Sequence, residues 1–528
     1  MDSFVERVWL RAQRYIAEGQ IRAARIALES LTQRDPRHVA GRMLLASVHL
    51  DEGRVREAAE QAIAASTMLP DDADAVATAV HCLMRIGETR AALDCLERFD
   101  APNKRLDGRR LTVMAHVYQM LGDHATGLVL MDRAQSQGYD NPDFRYFHAL
   151  QMQFNGRVVD ARHRLEGCLK LGPTFGRASL ALARMSKQTA DANHIDYIRT
   201  QLHAVAKGSE DHASFEFALY KELEDLGHYE DAFAALERGN AIMYARMSHD
   251  VERERALFDG LKQLVTAEFV RGAGGANIDG PVPIFIVGLP RSGTTLLDRI
   301  LDNHPDVVST GERIDFPRQL RWVANRHGHE LIDAALLDRL SSVDYAQLGE
   351  RYLAQTQWRA QGSLFFVDKL PANQMLLGLI HRALPQAPIL HMVRDPMDVC
   401  FSNYKALFGE SYPYSYEKSA LAAHYVQYRA LMEHWHAVMP GRVLDVPYTE
   451  LVRDPESVLP RVFAHCGLRW VAGCSDLTRN TTAVNTLSSA QVREPIHTRT
   501  LGEWRRYERQ LASVHDTLRS AGFVAAPA

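Results

Sequence analysis

Glycine recurs along the first third of the chain at a spacing that no single compact core would impose. Gly19, Gly53 and Gly87 stand 34 residues apart, Gly122 follows after 35 and Gly156 after another 34. Ala24, Ala58 and Ala92 keep the same period, five residues behind each glycine, and Pro36 and Pro70 close two units at a common offset. A period of this length means that one supersecondary unit is repeated and buries its apolar face only against its neighbours. The text between the marks reads as helix: EGQIRAARIALESLTQRDP, EGRVREAAEQAIAASTMLP, IGETRAALDCLERF and, later, DLGHYEDAFAALERGNA. Glycine suits the turn between two amphipathic helices, alanine lets them approach closely, and proline ends the second because it has no N–H to donate. From 157 to 215 the helical pattern persists but the marks blur.

These positions resemble the tetratricopeptide repeat. The resemblance implies an all-α superhelix over residues 1–265 that binds a peptide segment, mediates self-association or merely covers the C-terminal region. Four glycines within 271–280, in RGAGGANIDGP, suggest a linker spanning 266–282. At 528 residues the chain is too long for one core. Its net charge of −4 gives no bulk case for nucleic-acid binding. The N-terminal stretch MDSFVERVWLRAQRYIAEGQ is interrupted by charge and lacks a signal-peptide core. No apolar run reaches the length of a membrane span. A cytoplasmic location is therefore expected, with the six cysteines, none in C-x-x-C spacing, as reduced buried thiols.

After the glycines the character changes. PIFIV at 283–287 reads as a buried parallel strand, the stretch from Gly288 to Thr295 as a glycine-bearing loop, and LLDRILDN as a helix. Strand, loop and helix in this order let backbone N–H groups and a helix N-terminus hold an anion. The spacing of Gly288, Gly293 and Thr295 nearly fits the nucleotide-triphosphate loop, but Thr294 stands where that loop has lysine, and the cation has moved to Arg291. A phosphoryl-transfer enzyme needs that lysine and a carboxylate-held magnesium ion. A donor with less charge on its transferring group can manage with arginine and no metal. A second strand, ILHMV at 389–393, ends in Arg394, where a magnesium enzyme would want an acid. VVST precedes Glu312 and LFFV precedes Lys369, so both side chains stand at strand ends, where open α/β sheets gather ligands.

The segment PIFIVGLPRSGTTLLDRILDNHPDV resembles the donor loop of sulfotransferases, particularly the tyrosylprotein sulfotransferase branch and its bacterial relatives. The resemblance covers about 281–510, with the domain placed at 283–515. It implies 3′-phosphoadenosine-5′-phosphosulfate (PAPS) as donor, an acceptor hydroxyl (protein tyrosine among the candidates) and no metal. The loop residues Arg291, Ser292, Gly293, Thr294 and Thr295 would bind the donor, and Arg394 and Ser402 its 3′-phosphate. Tyr448, Ser488, Ser489, Gln491 and Val492 would complete the donor site. Glu312 would be the general base, with Lys369, Arg291 and Ser488 stabilising the transferring group. His304 is the rival base, although its N-H-P setting suggests a helix end.

Two positions depart from the family pattern. Its second 3′-phosphate arginine falls on Ala406, with Lys405 adjacent, and Glu503 stands where a basic residue is expected, leaving Arg499, Arg505 or Arg506 to substitute. Tyr412, Tyr414 and Tyr416 suggest either an acceptor loop or plain packing. The fold class expected is thus multidomain: an all-α tetratricopeptide-repeat superhelix followed by an α/β, P-loop-like sulfotransferase domain with a parallel sheet. The alternatives are a repeat adaptor with an inactive nucleotide-binding domain and, less favoured by the loop, a P-loop kinase.

Overall fold

The computed structural model describes residues 3–272, 274–480 and 495–524. The N-terminal region is a series of antiparallel helix pairs, beginning with Ser3–Ala17 and Ile21–Arg34, then Val39–Asp51 and Val55–Ser66, then Ala73–Ile86 and Thr89–Phe99. The period-marking glycines sit at the turn inside each pair with positive φ, from 71° at Gly19 to 98° at Gly122. This left-handed conformation ends a helix at little steric cost only for glycine. Ala24, Ala58 and Ala92 are fully buried, where the paired helices press together. The blurred stretch holds two shorter helices, Gly176–Met185 and Ile195–Ala204, before regular pairing resumes with Glu210–Asp225 and Tyr229–Arg246.

Among the described residues five strands come next in one parallel sheet: β1 Val282–Gly288, β2 Val307–Ser309, β3 Phe365–Lys369, β4 Ile389–Val393 and β5 Val443–Pro447, in the order β2-β3-β1-β4-β5. The central strand β1 is apolar on both faces because helices cover both. Ile284 and Ile286 pack with Leu297, Leu390 and Val446 on one side. Phe285 and Val287 belong to a second layer that holds Phe316, Tyr352 and Trp435, together with Phe215, Phe233 and Phe258 of the helical array.

That shared layer makes the two regions continuous. In the stretch read as a linker, the helix Ala267–Arg271 forms, and Ala276 is buried with its N–H donating to the Ala383 carbonyl at 2.9 Å. Three of the glycine turns, at Gly53, Gly87 and Gly122, face the sheet domain. His327 N–H donates to the Gly53 carbonyl at 3.1 Å, Gln319 Nε2 to Gly87 O at 2.6 Å, and Arg313 Nη1 to Met120 O at 3.2 Å. Beside them the buried Glu88 accepts from Arg351 Nη2 at 2.6 Å and Gln355 Nε2 at 2.9 Å. The last helices of the array grip the domain elsewhere: Asn240 Nδ2 donates to Tyr404 O at 3.0 Å, and His424 pairs with Glu254 at 3.0 Å. Among the described residues no helix is long and apolar enough to cross a membrane.

Candidate active site

The strand ends converge because the sheet is parallel. Ile286 of β1 stands opposite Lys369 of β3, Gly288 of β1 opposite Met392 of β4, and Val393 of β4 opposite Pro447 of β5. The residues just beyond, in the loop after β1 and at Arg394 and Tyr448, therefore meet at one edge. Glu312 joins them because the turn after β2 is pinned to β3: Thr310 Oγ1 donates to Val367 O at 2.7 Å and Lys369 N–H to Gly311 O at 3.3 Å. Lys369 is fully buried, and its Nζ donates to Glu312 Oε1 at 2.6 Å, while the Glu312 side chain keeps 42% of its surface exposed.

The loop after β1 is tight and held from behind. A Cβ on Gly288 would lie 2.9 Å from Met392 O and from Ser292 Oγ, and one on Gly293, where φ is 108°, would lie 2.5 Å from Tyr448 Cδ2. Only glycine fits either place. Arg291 also has positive φ, 66°, a strained setting for a side chain of its size. Asn403 Nδ2 donates to Pro290 O at 2.7 Å, and Arg394 Nη1 to Arg291 O at 3.0 Å. The helix Thr294–Asp302 starts directly after the loop, with Thr294 and Thr295 buried at its first turn.

Arg394 lies 4.7 Å over the Tyr448 ring and donates Nη2 to Thr500 O at 2.8 Å, while the Tyr448 hydroxyl lies 3.1 Å from Thr500 Oγ1. Ser402 is buried on the helix Pro396–Tyr404 that comes after β4. Ser292 Oγ and Arg394 Nε are buried and, among the described residues, have no hydrogen-bond partner. A buried hydroxyl and guanidinium N–H left in this state, beside a helix N-terminus, fit the phosphate groups of a nucleotide donor. Ser488, Ser489, Gln491 and Val492 lie outside the described residues.

One departure from the family pattern, Glu503, pairs with the lysine beside the other, Ala406. Lys405 Nζ donates to Glu503 Oε2 at 2.6 Å, and Arg506 approaches Glu503 at 3.7 Å. Burial raises the Glu503 carboxyl, but Lys405, then Arg506 and Arg394, outweigh it and hold the group below its ordinary range. Lys405 is thus engaged by an acid. Arg499 lines the pocket, whereas Arg505 lies 5.3 Å from the Trp504 ring centroid.

The rival base is occupied. His304 is buried, its Nδ1 accepts from Asp306 N–H at 3.2 Å, and its Nε2 lies 3.0 Å from Arg469 O. Of the tyrosines, Tyr414 stacks on His424 at 3.5 Å and Tyr416 donates to Gly409 O at 2.8 Å, so both are packing residues. Tyr412 lines the pocket, its phenol pushed above its usual range by burial and then by Glu312.

The strand-end residues, the fully buried Lys369 excepted, open into a cavity of about 1440 Å³ whose far wall is the helical array. Arg291, Glu312, Arg394, Ser402 and Tyr448 face Tyr146, Arg184, Lys187 and Tyr220. Burial, then Arg184 and Arg394, draw the Arg291 pKa down to about 10. Arg184 carries no local mark in the sequence, since it lies on a repeat helix a hundred residues before the loop. Asp298, near Lys369, carries none either; burial raises it to about 6 against the pull of Lys369. His391, His436 and Asp445 cluster within ligand distance of one another, but none of the three lines the cavity.

Residues 283–472 match the model of the sulfotransferase family. An uncharacterized protein of Aquifex aeolicus (strain VF5) is 29% identical over 375 residues, 69% of this chain and 48% of that protein. The protein-tyrosine sulfotransferase of Drosophila melanogaster is 27% identical over 203 residues, 35% of this chain and 38% of the fly enzyme. The alignments thus span less than half the length of either relative. Among solved structures, the sulfotransferase domain of the Synechococcus PCC 7002 olefin synthase matches at 19% identity and a TM-score of 0.32, over 49% of this chain and all of that domain.

Proposed function

We propose that the chain moves the sulfuryl group of PAPS onto an acceptor hydroxyl. The observation that carries this reading is the Lys369–Glu312 pair, 2.6 Å apart at the mouth of an anion-binding loop that has arginine in place of the nucleotide-triphosphate lysine. Bound in the loop, PAPS would supply an activated sulfonate whose leaving group is a nucleotide phosphate. Arg394 and Ser402 hold the 3′-phosphate, and the residues from Arg291 to Thr295 hold the 5′ end. Glu312 accepts the proton of the attacking hydroxyl. Lys369 and Arg291 offset the negative charge that builds on the leaving oxygen, in a pocket where fixed cations act strongly. Ser488, by resemblance, adds a hydrogen bond to the same oxygen. No step calls for a metal ion. A protein tyrosine is one acceptor compatible with a cavity of this size, and an acceptor carried on a larger molecule is consistent with the array forming the far wall.

The test is transfer of label from sulfur-labelled PAPS to a panel of phenols, sugars and tyrosine peptides in the presence of EDTA. Label should move with the wild-type chain and be lost with Glu312→Gln. Transfer that EDTA abolishes and magnesium restores would refute the metal-free reading.

A further inference from the structure

The wall of the cavity opposite the loop is made by the helical array, and one cation there is unlike its neighbours. Arg184, on the helix Gly176–Met185, lines the cavity together with Arg291 and Glu312. Among the described residues it has no ion-pair or hydrogen-bond partner. Burial draws its pKa down to about 10, and the groups that act against this are the phenols of Tyr146, Tyr220 and Tyr416. The acids of the same wall are committed elsewhere or too distant to count. Glu224 accepts from Tyr220 at 2.8 Å and from Tyr507 at 3.1 Å, Asp225 is held by Lys221 at 2.5 Å, and Glu210 is not among the groups that shift Arg184.

Arg184 is only partly buried, yet a cation held partly out of water without a counter-ion still carries a desolvation cost. Its cost is offset when a ligand brings the missing charge, which is why such groups gather at functional sites. The position fits that role. Arg184 is close enough to Arg291 to lower that guanidinium's pKa more than Arg394 does, and Arg394 itself donates to the Arg291 carbonyl at 3.0 Å. The phenol of Tyr412 feels Glu312 from the same cavity. An anion between the loop and the array would therefore meet Arg184 on one side and the transfer residues on the other.

We propose that Arg184 is a substrate-binding residue that the helical array donates to the transfer pocket, where it takes an anionic group: the donor's sulfonate, or a carboxylate, phosphate or sulfate carried by the acceptor. This rests on the sulfuryl-transfer reading and extends it, because the array then belongs to the active site.

The experiment uses the full chain as wild type, Arg184→Gln and Arg184→Lys. Calorimetry gives affinities for PAPS without acceptor and for 3′-phosphoadenosine 5′-phosphate (PAP), which lacks the sulfonate. Kinetics compare a neutral phenol with a carboxylated one. If Arg184 meets the sulfonate, Arg184→Gln lowers PAPS affinity relative to PAP by about tenfold or more, the loss typical of a charged contact, and slows both phenols. If it meets the acceptor's anion, the PAPS-to-PAP ratio holds and KM rises for the carboxylated phenol alone. In either case Arg184→Lys restores part of the loss, and retained PAP affinity shows that the pocket is intact. Should glutamine disturb packing, the lysine variant reads the same two ratios against wild type. Unchanged ratios in the variants overturn the proposal. If the wild type binds no PAP and transfers no label, the sulfuryl-transfer reading falls and this proposal with it.

Discussion

Replacing Glu312 by glutamine isolates proton acceptance from everything else that the side chain does. The amide has the same shape, and its oxygen can still accept from Lys369 Nζ, which now lies 2.6 Å from the carboxylate. The carboxylate is lost as a base, a function worth about 10²–10⁴ in rate, or about 3–5 kcal/mol of barrier. Folding should register the change, since the fully buried Lys369 loses its ion-pair partner, although the amide still accepts its hydrogen bond and the 42% exposure of the Glu312 side chain softens the loss. Donor affinity should hold or rise, because the fully buried Lys369 loses its counter-charge and a donor anion can replace it. The assay is turnover with labelled PAPS beside calorimetry with PAP. A fall of at least about 10²-fold in turnover without loss of PAP affinity is expected. Turnover within a few-fold of wild type, or PAP binding that collapses with it, would refute the assignment of Glu312 as base.

Four further outcomes rest on the geometry. Arg394→Ala should weaken PAP about tenfold more than adenosine 5′-phosphate, since a charged contact to the 3′-phosphate is worth about 1.5–3 kcal/mol; equal losses would make Arg394 only the prop of the loop at Arg291 O. Glu503→Gln should raise PAP affinity, measured by calorimetry, by freeing Lys405 from its 2.6 Å pair, whereas Lys405→Ala should leave it unchanged. Gly122→Ala forces a left-handed backbone, at about 1–2 kcal/mol, and also sets a Cβ 2.0 Å from Arg313 Nη2. It should therefore lower the thermal midpoint more than Gly19→Ala, whose Cβ meets nothing within 4 Å. Burial raises Asp368 to about 7, so the folded state keeps its proton where the unfolded chain has lost it. Its contribution is whole below the unfolded carboxylate range and is lost as pH rises toward 7. Melting curves should therefore show Asp368→Asn gaining on wild type from pH 5 to pH 8; a constant difference would contradict this.

How much of the molecule is legible in the sequence depends on the range of the interactions. The glycine period and the strand–loop–helix at 283–303 are local patterns, and they became helix pairs and the β1 loop because turn chemistry and burial act on neighbouring residues. Strands with apolar runs, such as ILHMV, were legible; β5 Val443–Pro447 was not, because LDVP alternates weakly and carries an acid. Arg394, Glu312 and Lys369 could be named from their strand ends, but the 2.6 Å pairing of the last two depends on β2 lying beside β3. The Lys405–Glu503 pair joins residues 98 positions apart, so no local pattern could show that the acid at 503 engages the lysine beside Ala406. The glycine-rich stretch after 271 suggested slack, yet Ala276 is pinned to Ala383 and one apolar layer runs through both regions. Arg184 could not be found at all from local pattern, because its meaning comes from the fold of the array against the sheet domain.

The central claim is a metal-free site for a sulfuryl donor. Its most direct test is calorimetric titration of the full chain with PAP in EDTA, beside ATP with magnesium. The arrangement of Arg291, Arg394 and Lys369 predicts tight PAP binding that magnesium does not improve and a much weaker response to ATP. Preference for magnesium–ATP, or no binding of PAP, would contradict it.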